Sequence, residues 1–328
     1  MATGGVWAIH DGSIWTAGDG QAFKSHRLVG EDPFVFDPLR MWTTSAGPGS
    51  TVDPGGAQSD VLHIVVNRTT DGGRAWQPVA IPGNYRDSTP VLSFLDSRRG
   101  YLLTVPDRGS GALATLLRTT DGGLTWHVAG VPTTSGSLLV VSDPSTIWIG
   151  AQDDASPISR RLLTVSRDGG RSWHDVALPG FDPGDGGGEF HLRSAPIFTD
   201  ARHGVIAIDR GDGLVATVLR TQDGGRTWRR SGTFRPSTLA SGGLAVVDSR
   251  TWLLSDVLPA EIHLSSDDGA HWTTIQGQGL PATTIDWLAF SSPRVGDAVL
   301  PSGDSPAPET LFVTGDGGRT WRPAVFQG

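Results

Sequence analysis

The chain has 328 residues, and its 26 basic and 34 acidic side chains give a formal net charge of −8. An acidic chain without a basic run lacks the positive surface that nucleic-acid binding requires, so we expect no nucleic-acid partner. Cysteine is absent, which excludes disulfide bonds, a thiolate nucleophile and any cysteine-based metal site. The 45 glycines and 22 prolines are typical of many short strands joined by turns.

The sequence predicts no membrane span, because no apolar run reaches the length that a spanning helix needs. The first residues, Met1 to Gly5, lack the basic and apolar regions of a signal peptide.

An eight-residue phrase, Ser/Thr-x-Asp-x-Gly-x-x-Trp, recurs along the chain. Its strict copies are residues 69–76, 119–126, 166–173, 221–228, 265–272 and 314–321. In a weakened copy at residues 16–23, Gly18 replaces the Asp and Phe23 replaces the Trp. A period of about fifty residues with short β-rich segments is the sequence pattern of a β-propeller.

The phrase itself predicts a hairpin turn. Its glycines accept the positive φ of a tight turn, and the Asp and Ser/Thr side chains can accept hydrogen bonds from turn amides. The Trp that closes the phrase opens the next strand and has the area to cover the hairpin. We therefore interpret every residue of the phrase as structural.

Two further landmarks precede the phrase in each repeat. The first is an apolar run closed by a polar residue, namely Asp37, Asp96, Asp143, Asp200, Asp248 and Ser292. The second follows four or five residues later and comprises Trp7, Trp42, Tyr101, Trp148, Val205, Trp252 and, weakly, Gly296-Asp297. These landmarks divide each repeat into strands A, B, C and D, with the repeated phrase between C and D.

The prediction is therefore an all-β chain, a seven-bladed β-propeller with four-stranded blades, forming a single domain over residues 1–328. The predicted blades are residues 6–30, 33–82, 90–132, 136–180, 190–234, 237–280 and 282–328. The first blade is expected to be incomplete, because only five residues precede Val6 and no apolar run is present for strand A. The insertion at residues 46–60 is expected to be a Gly/Pro-rich loop beside the channel mouth.

The repeated phrase resembles the Asp-box, or BNR repeat, of sialidase-like propellers, and its strict copies with the flanking landmarks cover almost the whole chain. The rhythm of apolar run, Asp, Gly-aromatic and Asp-Gly-Gly-x-Thr-Trp is most similar to the Ycf48-like group. That resemblance implies a binding or assembly propeller, an Asp-box that binds no substrate, and a secreted or cell-envelope protein whose leader has been removed.

The chain lacks a candidate for the nucleophile that a sialidase would need. Sialidases would imply a Tyr nucleophile late in the chain, an Asp acid/base and an arginine triad, whereas this chain has only Tyr85 and Tyr101.

In propellers the D-to-A and B-to-C loops share the face at the mouth of the central channel, where binding and catalytic residues usually lie. Three residues of these loops are acid/base candidates for catalysis, namely Asp87, His191 and Asp286. Six others are ligand-binding candidates, namely Tyr85, Arg86, Glu189, Arg193, Arg235 and Trp287. A loop with these groups could bind a glycan or a carboxylated ligand, or catalyse a reaction on a sugar.

Two functions stay open from the sequence. The favoured one is a binding or assembly propeller that presents a polar face to a glycan or protein ligand. The alternative is a carbohydrate-active hydrolase or lyase, which requires paired acid and base groups at the mouth. We expect no cofactor and no metal, and a monomer.

Overall fold

A computed structural model of the chain describes residues 6–10, 13–17, 24–47, 50–52, 58–60, 63–81, 83, 88–106, 114–132, 136, 138–150, 162–181, 190–192, 195–210, 216–234, 243–255, 261–281, 285, 287–290, 292–300 and 310–324. These residues form strands, turns and bends, with no helix among them. Consequently no described segment is a helix long and apolar enough to cross a membrane.

The strands of the first half of the chain form four blade sheets and one separate two-stranded sheet. They are β1 Val6–His10, β2 Ser13–Ala17, β3 Lys24–Arg27, β4 Glu31–Val35, β5 Met41–Gly47, β6 Ser50–Val52, β7 Gln58–Asp60, β8 His63–Thr69, β9 Gln77–Ala80, β10 Ser88–Phe94, β11 Gly100–Pro106, β12 Thr115–Thr119, β13 His127–Gly130, β14 Leu138–Val141, β15 Ile147–Gly150, β16 Leu163–Ser166 and β17 His174–Asp175.

The strands of the second half form three sheets. They are β18 Phe190–Leu192, β19 Ile197–Phe198, β20 Gly204–Arg210, β21 Ala216–Thr221, β22 Arg229–Phe234, β23 Leu244–Val246, β24 Trp252–Ser255, β25 Glu261–Ser265, β26 Thr273–Gln276, β27 Trp287–Phe290, β28 Gly296–Leu300, β29 Thr310–Thr314 and β30 Arg322–Pro323.

Strands that follow one another in sequence lie side by side, as predicted for propeller blades. Sheet 1 has the order β1-β2-β3, sheet 2 β4-β5-β8-β9, sheet 3 β10-β11-β12-β13, sheet 4 β14-β15-β16-β17, sheet 6 β23-β24-β25-β26 and sheet 7 β27-β28-β29-β30. In sheet 5, β18 and β19 both pair with β20, which continues to β21 and β22. The prediction of a seven-bladed β-propeller with an incomplete first blade is confirmed, since sheet 1 has three strands in the described part of the chain.

The chain separates into two compact units. One consists of Met1–Ile149, Thr164–His174 and Phe326–Gly328, and the other of Gly150–Leu163 and Asp175–Val325. The single domain and the blade bounds given above stay a prediction.

The insertion in sheet 2 differs from the expected loop. Within residues 46–60, β6 and β7 pair as a separate antiparallel hairpin, with Ser50 opposite Asp60 and Val52 opposite Gln58. The insertion thus extends the B-to-C connection of its blade with a small hairpin.

The strand registers correct one of the sequence landmarks. Trp42 lies opposite Arg68, one residue before the first position of its Asp-box, whereas Trp252 lies opposite Ser265, the first position itself. Leu253 is therefore the counterpart of Trp42. The displacement reverses the face on which the ring lies, because successive residues of a strand point to opposite sides of the sheet.

Large aromatic rings fill the cores between neighbouring sheets within each unit. In the first unit, Trp42 of sheet 2 stacks on Phe94 of sheet 3 with 3.7 Å between ring centroids, and Trp126 meets Phe94 edge-on at 6.0 Å. In the second unit, Leu253 and Ile262 of sheet 6 share a buried cluster with Leu288, Phe312 and Trp321 of sheet 7. In both examples, aromatic and aliphatic side chains of one sheet are buried against those of the next sheet.

The six strict Asp-boxes fold into the same hydrogen-bonded turn. In the third sheet, Thr119 is buried, and its hydroxyl donates to Asp121 (2.8 Å) and accepts from the Gly123 amide (2.9 Å). The Asp121 carboxylate accepts from the amide of Thr125 (3.0 Å) and from its hydroxyl (2.6 Å). Both glycines have positive φ, 79° at Gly122 and 89° at Gly123, so the turn requires residues that tolerate this region.

A second turn, between strands A and B, docks on each Asp-box. In sheet 3, Asp96 accepts hydrogen bonds from the amides of Arg98 and Arg99, both at 2.8 Å. The Arg98 carbonyl then accepts from the amide of Gly122, at 2.8 Å. Equivalent bonds from position four of the box occur at Gly72, Gly169, Gly224, Asp268 and Gly317. We call the end of a blade that carries these two turns the box end, and the opposite end, with the B-to-C and D-to-A connections, the loop end.

The second sheet offers a direct test of this network, because Ala75 occupies the place that Thr or Ser takes in four of the other boxes. The Asp71 carboxylate still accepts from the Ala75 amide (3.0 Å), but alanine has no hydroxyl to offer. We expect Ala75→Thr to supply that bond and to raise the free energy of unfolding by about 1 kcal/mol.

The measurement is chemical denaturation of the unmodified protein and of Ala75→Thr. Thr125→Ala, which removes the corresponding hydroxyl in sheet 3, is the matched control. We expect the loss to be of similar size and opposite sign. An unchanged midpoint for Ala75→Thr beside a normal loss for Thr125→Ala would refute the role of the hydroxyl.

Candidate functional site

Most of the predicted site residues lie outside the part of the chain that the structure describes. These residues are Tyr85, Arg86, Asp87, Glu189, Arg193, Arg235 and Asp286. Their roles stay a prediction. Arg193 was predicted for a D-to-A connection, but in the chain it comes after β18 and before β19.

Two predicted site residues lie in innermost strands, where only the backbone is described. His191 belongs to β18 and is opposite Asp209 of β20, while Trp287 opens β27 opposite Val299 of β28. The sequence placed His191 in the connection before the strand. The register thus moves it into sheet 5, where it is beside an acidic residue.

The third-position carboxylates of the Asp-boxes, and several carboxylates of the A-to-B turns, have a lowered pKa because they accept hydrogen bonds from their own turns. Partial burial raises the pKa of Asp121, but hydrogen bonds from Thr125, Thr119 and Leu124 outweigh it and hold that pKa at about 2. The Thr320 hydroxyl and amide likewise lower the pKa of Asp316 to about 2. A carboxylate that stays ionised and accepts several hydrogen bonds is a poor proton donor, so these groups support the turn and are unsuited to general acid catalysis.

Two of these turn carboxylates face a histidine. The Asp267 carboxylate lies 2.6 Å from Nδ1 of His271, which takes the place of the usual Thr at position seven. In the A-to-B turn of sheet 5, the Asp200 carboxylate lies 2.8 Å from Nδ1 of His203. Backbone amides lower the pKa of both carboxyls to about 2, with the histidine adding to the effect. Each histidine therefore completes a turn as a threonine does elsewhere.

Asp297 is the exception among the described carboxyls whose pKa is shifted, because burial raises its pKa. It lies on β28 at the strand position that Trp42 and Tyr101 occupy in sheets 2 and 3. Its cross-strand neighbours are Ala289 and Val313, which offer no hydrogen bond from their side chains. In the sequence, Gly296-Asp297 is only the weak member of the second landmark. The signal for Asp297 is an acidic residue at a position where other repeats have an aromatic residue.

No group of three or more His, Asp or Glu side chains suited to a metal ion occurs in the part of the chain that the structure describes. Neither Ala289 nor Val313, the residues opposite Asp297, supplies the second carboxyl that glycoside hydrolysis uses.

Solved structures of known proteins have a fold similar to that of this chain. No family model matches the chain, and no curated protein sequence matches it. A solved structure of Ycf48 bound to a D1 peptide aligns with a TM-score of 0.56 and 17% identity, over 90% of this chain and 88% of that one. Ycf48 from Cyanidioschyzon merolae aligns with a TM-score of 0.57 and 16% identity, over 86% of this chain and 88% of that one.

Enzymes share the same architecture. A solved prolyl endopeptidase aligns with a TM-score of 0.54 and 14% identity, over 97% of this chain but 49% of that one. At these identities the likeness shows the fold alone, and it confirms the resemblance to Ycf48-like propellers at that level.

The low pKa values predict how stability responds to acid. The pKa is about 2 for Asp121, Asp200, Asp223, Asp267 and Asp316, below the ordinary value of 3.8. Because the folded pKa lies below the unfolded one, these groups stabilise the fold fully above about pH 5 and lose that contribution as the pH falls toward 2.

The check is the free energy of unfolding measured by urea titration between pH 7 and pH 2.5. We expect the contribution of these carboxyls to the free energy of unfolding to be constant above about pH 5 and to fall steeply below pH 4. Asp121→Asn should be less stable at pH 7 and show a shallower fall; an equally steep fall in this variant would contradict the assignment for Asp121.

Proposed function

We propose that this protein is a binding or assembly propeller that holds a protein ligand at the loop end of its blades. The observation that carries the proposal is that the third-position carboxylates of the Asp-boxes accept hydrogen bonds from amides of their own turns, so that these acids serve the scaffold. A rigid scaffold with variable connections at one end is the usual arrangement of a binding module. The solved Ycf48 bound to a D1 peptide is a precedent for a peptide ligand on this fold.

A carbohydrate-active hydrolase or lyase is the second candidate function. Asp297 favours it, because a carboxyl with a raised pKa is what a general acid needs at neutral pH. The neighbours Ala289 and Val313 supply no partner carboxyl, and a hydrolase of this class needs two. Binding is therefore the better supported function.

A glycan ligand, a secreted or cell-envelope location and a monomeric state belong to the same proposal. The Asp-box resemblance of the sequence supports the glycan ligand and the location, and the acidic net charge of −8 is consistent with the absence of a nucleic-acid partner.

A product-release screen separates the two functions. The protein is incubated with a panel of polysaccharides and glycosides beside an Asp286→Asn, His191→Ala double variant, and products are detected by mass spectrometry. We expect no release above background from either protein. Release by the unmodified protein alone would establish an enzyme with its site at the loop end, and equal release by both would establish an enzyme with its site elsewhere.

The position of the ligand is tested by photo-crosslinking. A photoreactive amino acid replaces Arg86 or Glu189, each of which belongs to a D-to-A connection, and Arg226 of the sheet 5 Asp-box serves as the control position. We expect discrete protein adducts from the loop-end positions. Adducts confined to the control position would refute the loop end as the binding site.

A further inference from the structure

In sheets 3 and 5 the strand registers align a row of three residues across neighbouring strands at the box end, and the central one directly precedes the Asp-box. In sheet 5 the row is Val205, Arg220 and Arg229, on strands β20, β21 and β22. In sheet 3 the row is Tyr101, Arg118 and His127, on strands β11, β12 and β13. The two central arginines therefore occupy equivalent positions.

In the second unit this arginine has a built-in partner. Arg220 forms an ion pair with Asp268, which is position four of the Asp-box in sheet 6. The Nε of Arg250 also lies 4.0 Å from the Asp268 carboxylate. Asp268 holds a φ of 62°, where the other five strict boxes have glycine. A carboxylate is thus the group that this location accepts beside the arginine.

In the first unit the carboxylate is missing. Position four of the sheet 4 box, the counterpart of Asp268, is Gly169. Arg118 is exposed, and its side chain makes no hydrogen bond or ion pair with any described residue. A Cβ added at Gly169 would meet only the Pro144 carbonyl at 3.7 Å and the Tyr101 hydroxyl at 3.9 Å. There is therefore room for a ligand where Asp268 stands in the other unit.

Three arginines and one carboxylate, Asp143, lie near the Tyr101 hydroxyl at the edge of this space. The Tyr101 hydroxyl at its edge donates to the Pro144 carbonyl at 3.3 Å. Burial raises the pKa of Tyr101, while the nearby Arg118, Arg99 and Arg171 oppose that rise.

Most of the neighbouring groups are already engaged within their turns. Arg99 is paired with Asp96, at 2.6 Å, and Arg171 donates to the Asp168 carbonyl, at 3.1 Å. The nearby acid, Asp143, accepts from the Ser145 and Thr146 amides. Arg118 is thus the cation whose charge is left for a ligand.

The junction between sheets 2 and 3 is less suitable, although it has an equivalent arginine, Arg68. A Cβ added at Gly122 would lie 2.8 Å from the Ser97 carbonyl and 3.7 Å from Nη2 of Arg68. Arg68 and the turn fill that space, whereas Arg118 leaves it open.

We propose that Arg118, with the Tyr101 hydroxyl and Arg171 beside it, is a docking site for a side-chain carboxylate of an acidic peptide segment on a protein partner. The ligand carboxylate takes the place that Asp268 occupies beside Arg220. Such charge-assisted pairs with arginine are strong and directional, which suits recognition of an acidic segment. This site lies at the box end and stands independently of the loop-end ligand proposed above.

The probe is a fluorescein-labelled oligo-glutamate peptide, with an oligo-glutamine peptide of the same length as the neutral control. Binding is measured by fluorescence anisotropy at low and at physiological salt, on the full chain. We expect the glutamate peptide to bind and the glutamine peptide to bind at least about tenfold more weakly, since the pair is charge-assisted. Arg118→Gln should weaken binding by about tenfold, and Arg322→Gln, an exposed arginine on β30, should leave it unchanged.

Gly169→Asp is the decisive variant, because its carboxylate should pair with Arg118 as Asp268 pairs with Arg220, and should thereby compete with the ligand. It should weaken binding as much as Arg118→Gln does, and Gly169→Asn, which has the same shape without the charge, should weaken it less. Thermal unfolding followed by circular dichroism checks that each variant is folded. The Asp268 precedent shows that an Asp-box accepts this residue.

Equal binding of the two peptides, or unchanged binding in both Arg118→Gln and Gly169→Asp, would overturn the proposal. Displacement of a bound peptide by inorganic phosphate more effectively than by acetate at equal ionic strength would contradict the carboxylate assignment. Loss of peptide binding would leave the crosslinking result at the loop end unaffected, so the two proposals fail separately.

Discussion

The hydrogen bonds between one aspartate carboxylate and the amides of its own turn are the interaction on which each complete blade depends. A tight turn with two left-handed residues leaves several amides without strand partners, and unpaired amides next to a core are costly. In the Asp-box the carboxylate and the Ser/Thr hydroxyl accept those bonds together, as at Asp121 and Thr119. The A-to-B turn then docks on the same box through a single bond from position four.

This arrangement fixes the strands of a blade at one end and leaves the other end free to vary. Position eight of the box places a Trp over the hairpin, as with Trp126 and Trp321, both of which are buried. The rings between sheets, such as Trp42 on Phe94, then tie each blade to its neighbour within the unit. The Asp residues that recur in every strict Asp-box thereby stabilise the fold. We therefore look for binding or catalytic residues at positions where one repeat differs from the others.

Departures from the repeat are accordingly the informative positions. Asp268 replaces a glycine and neutralises Arg220, whereas Gly169 keeps the repeat and leaves Arg118 without a carboxylate. Asp297 replaces an aromatic residue and acquires a raised pKa through burial. His271 replaces a threonine and preserves the hydrogen bond to its Asp. Repetition thus provides an internal comparison that no single blade could offer.

The sequence predicted the blade order because the Asp-box and its Asp turn recur in phase, and each has a local physical reason for its residues. It misplaced Trp252 by one residue, since the spacing from Asp248 is four rather than five and only the strand register decides which face a side chain takes. Arg118 was not singled out, because its significance depends on Gly169 in the following blade. The connections at the loop end follow no period, so position alone suggested residues such as Asp87 and Asp286.

The central claim is that the box carboxylates are structural acceptors, and carbon-13 NMR titration of selectively labelled aspartate side chains measures this directly. We predict a pKa of about 2 for Asp121, Asp223 and Asp316, and a pKa above the ordinary 3.8 for Asp297. Titration of the box carboxyls near 3.8 would contradict the central claim, because carboxylates that accept several turn hydrogen bonds must resist protonation.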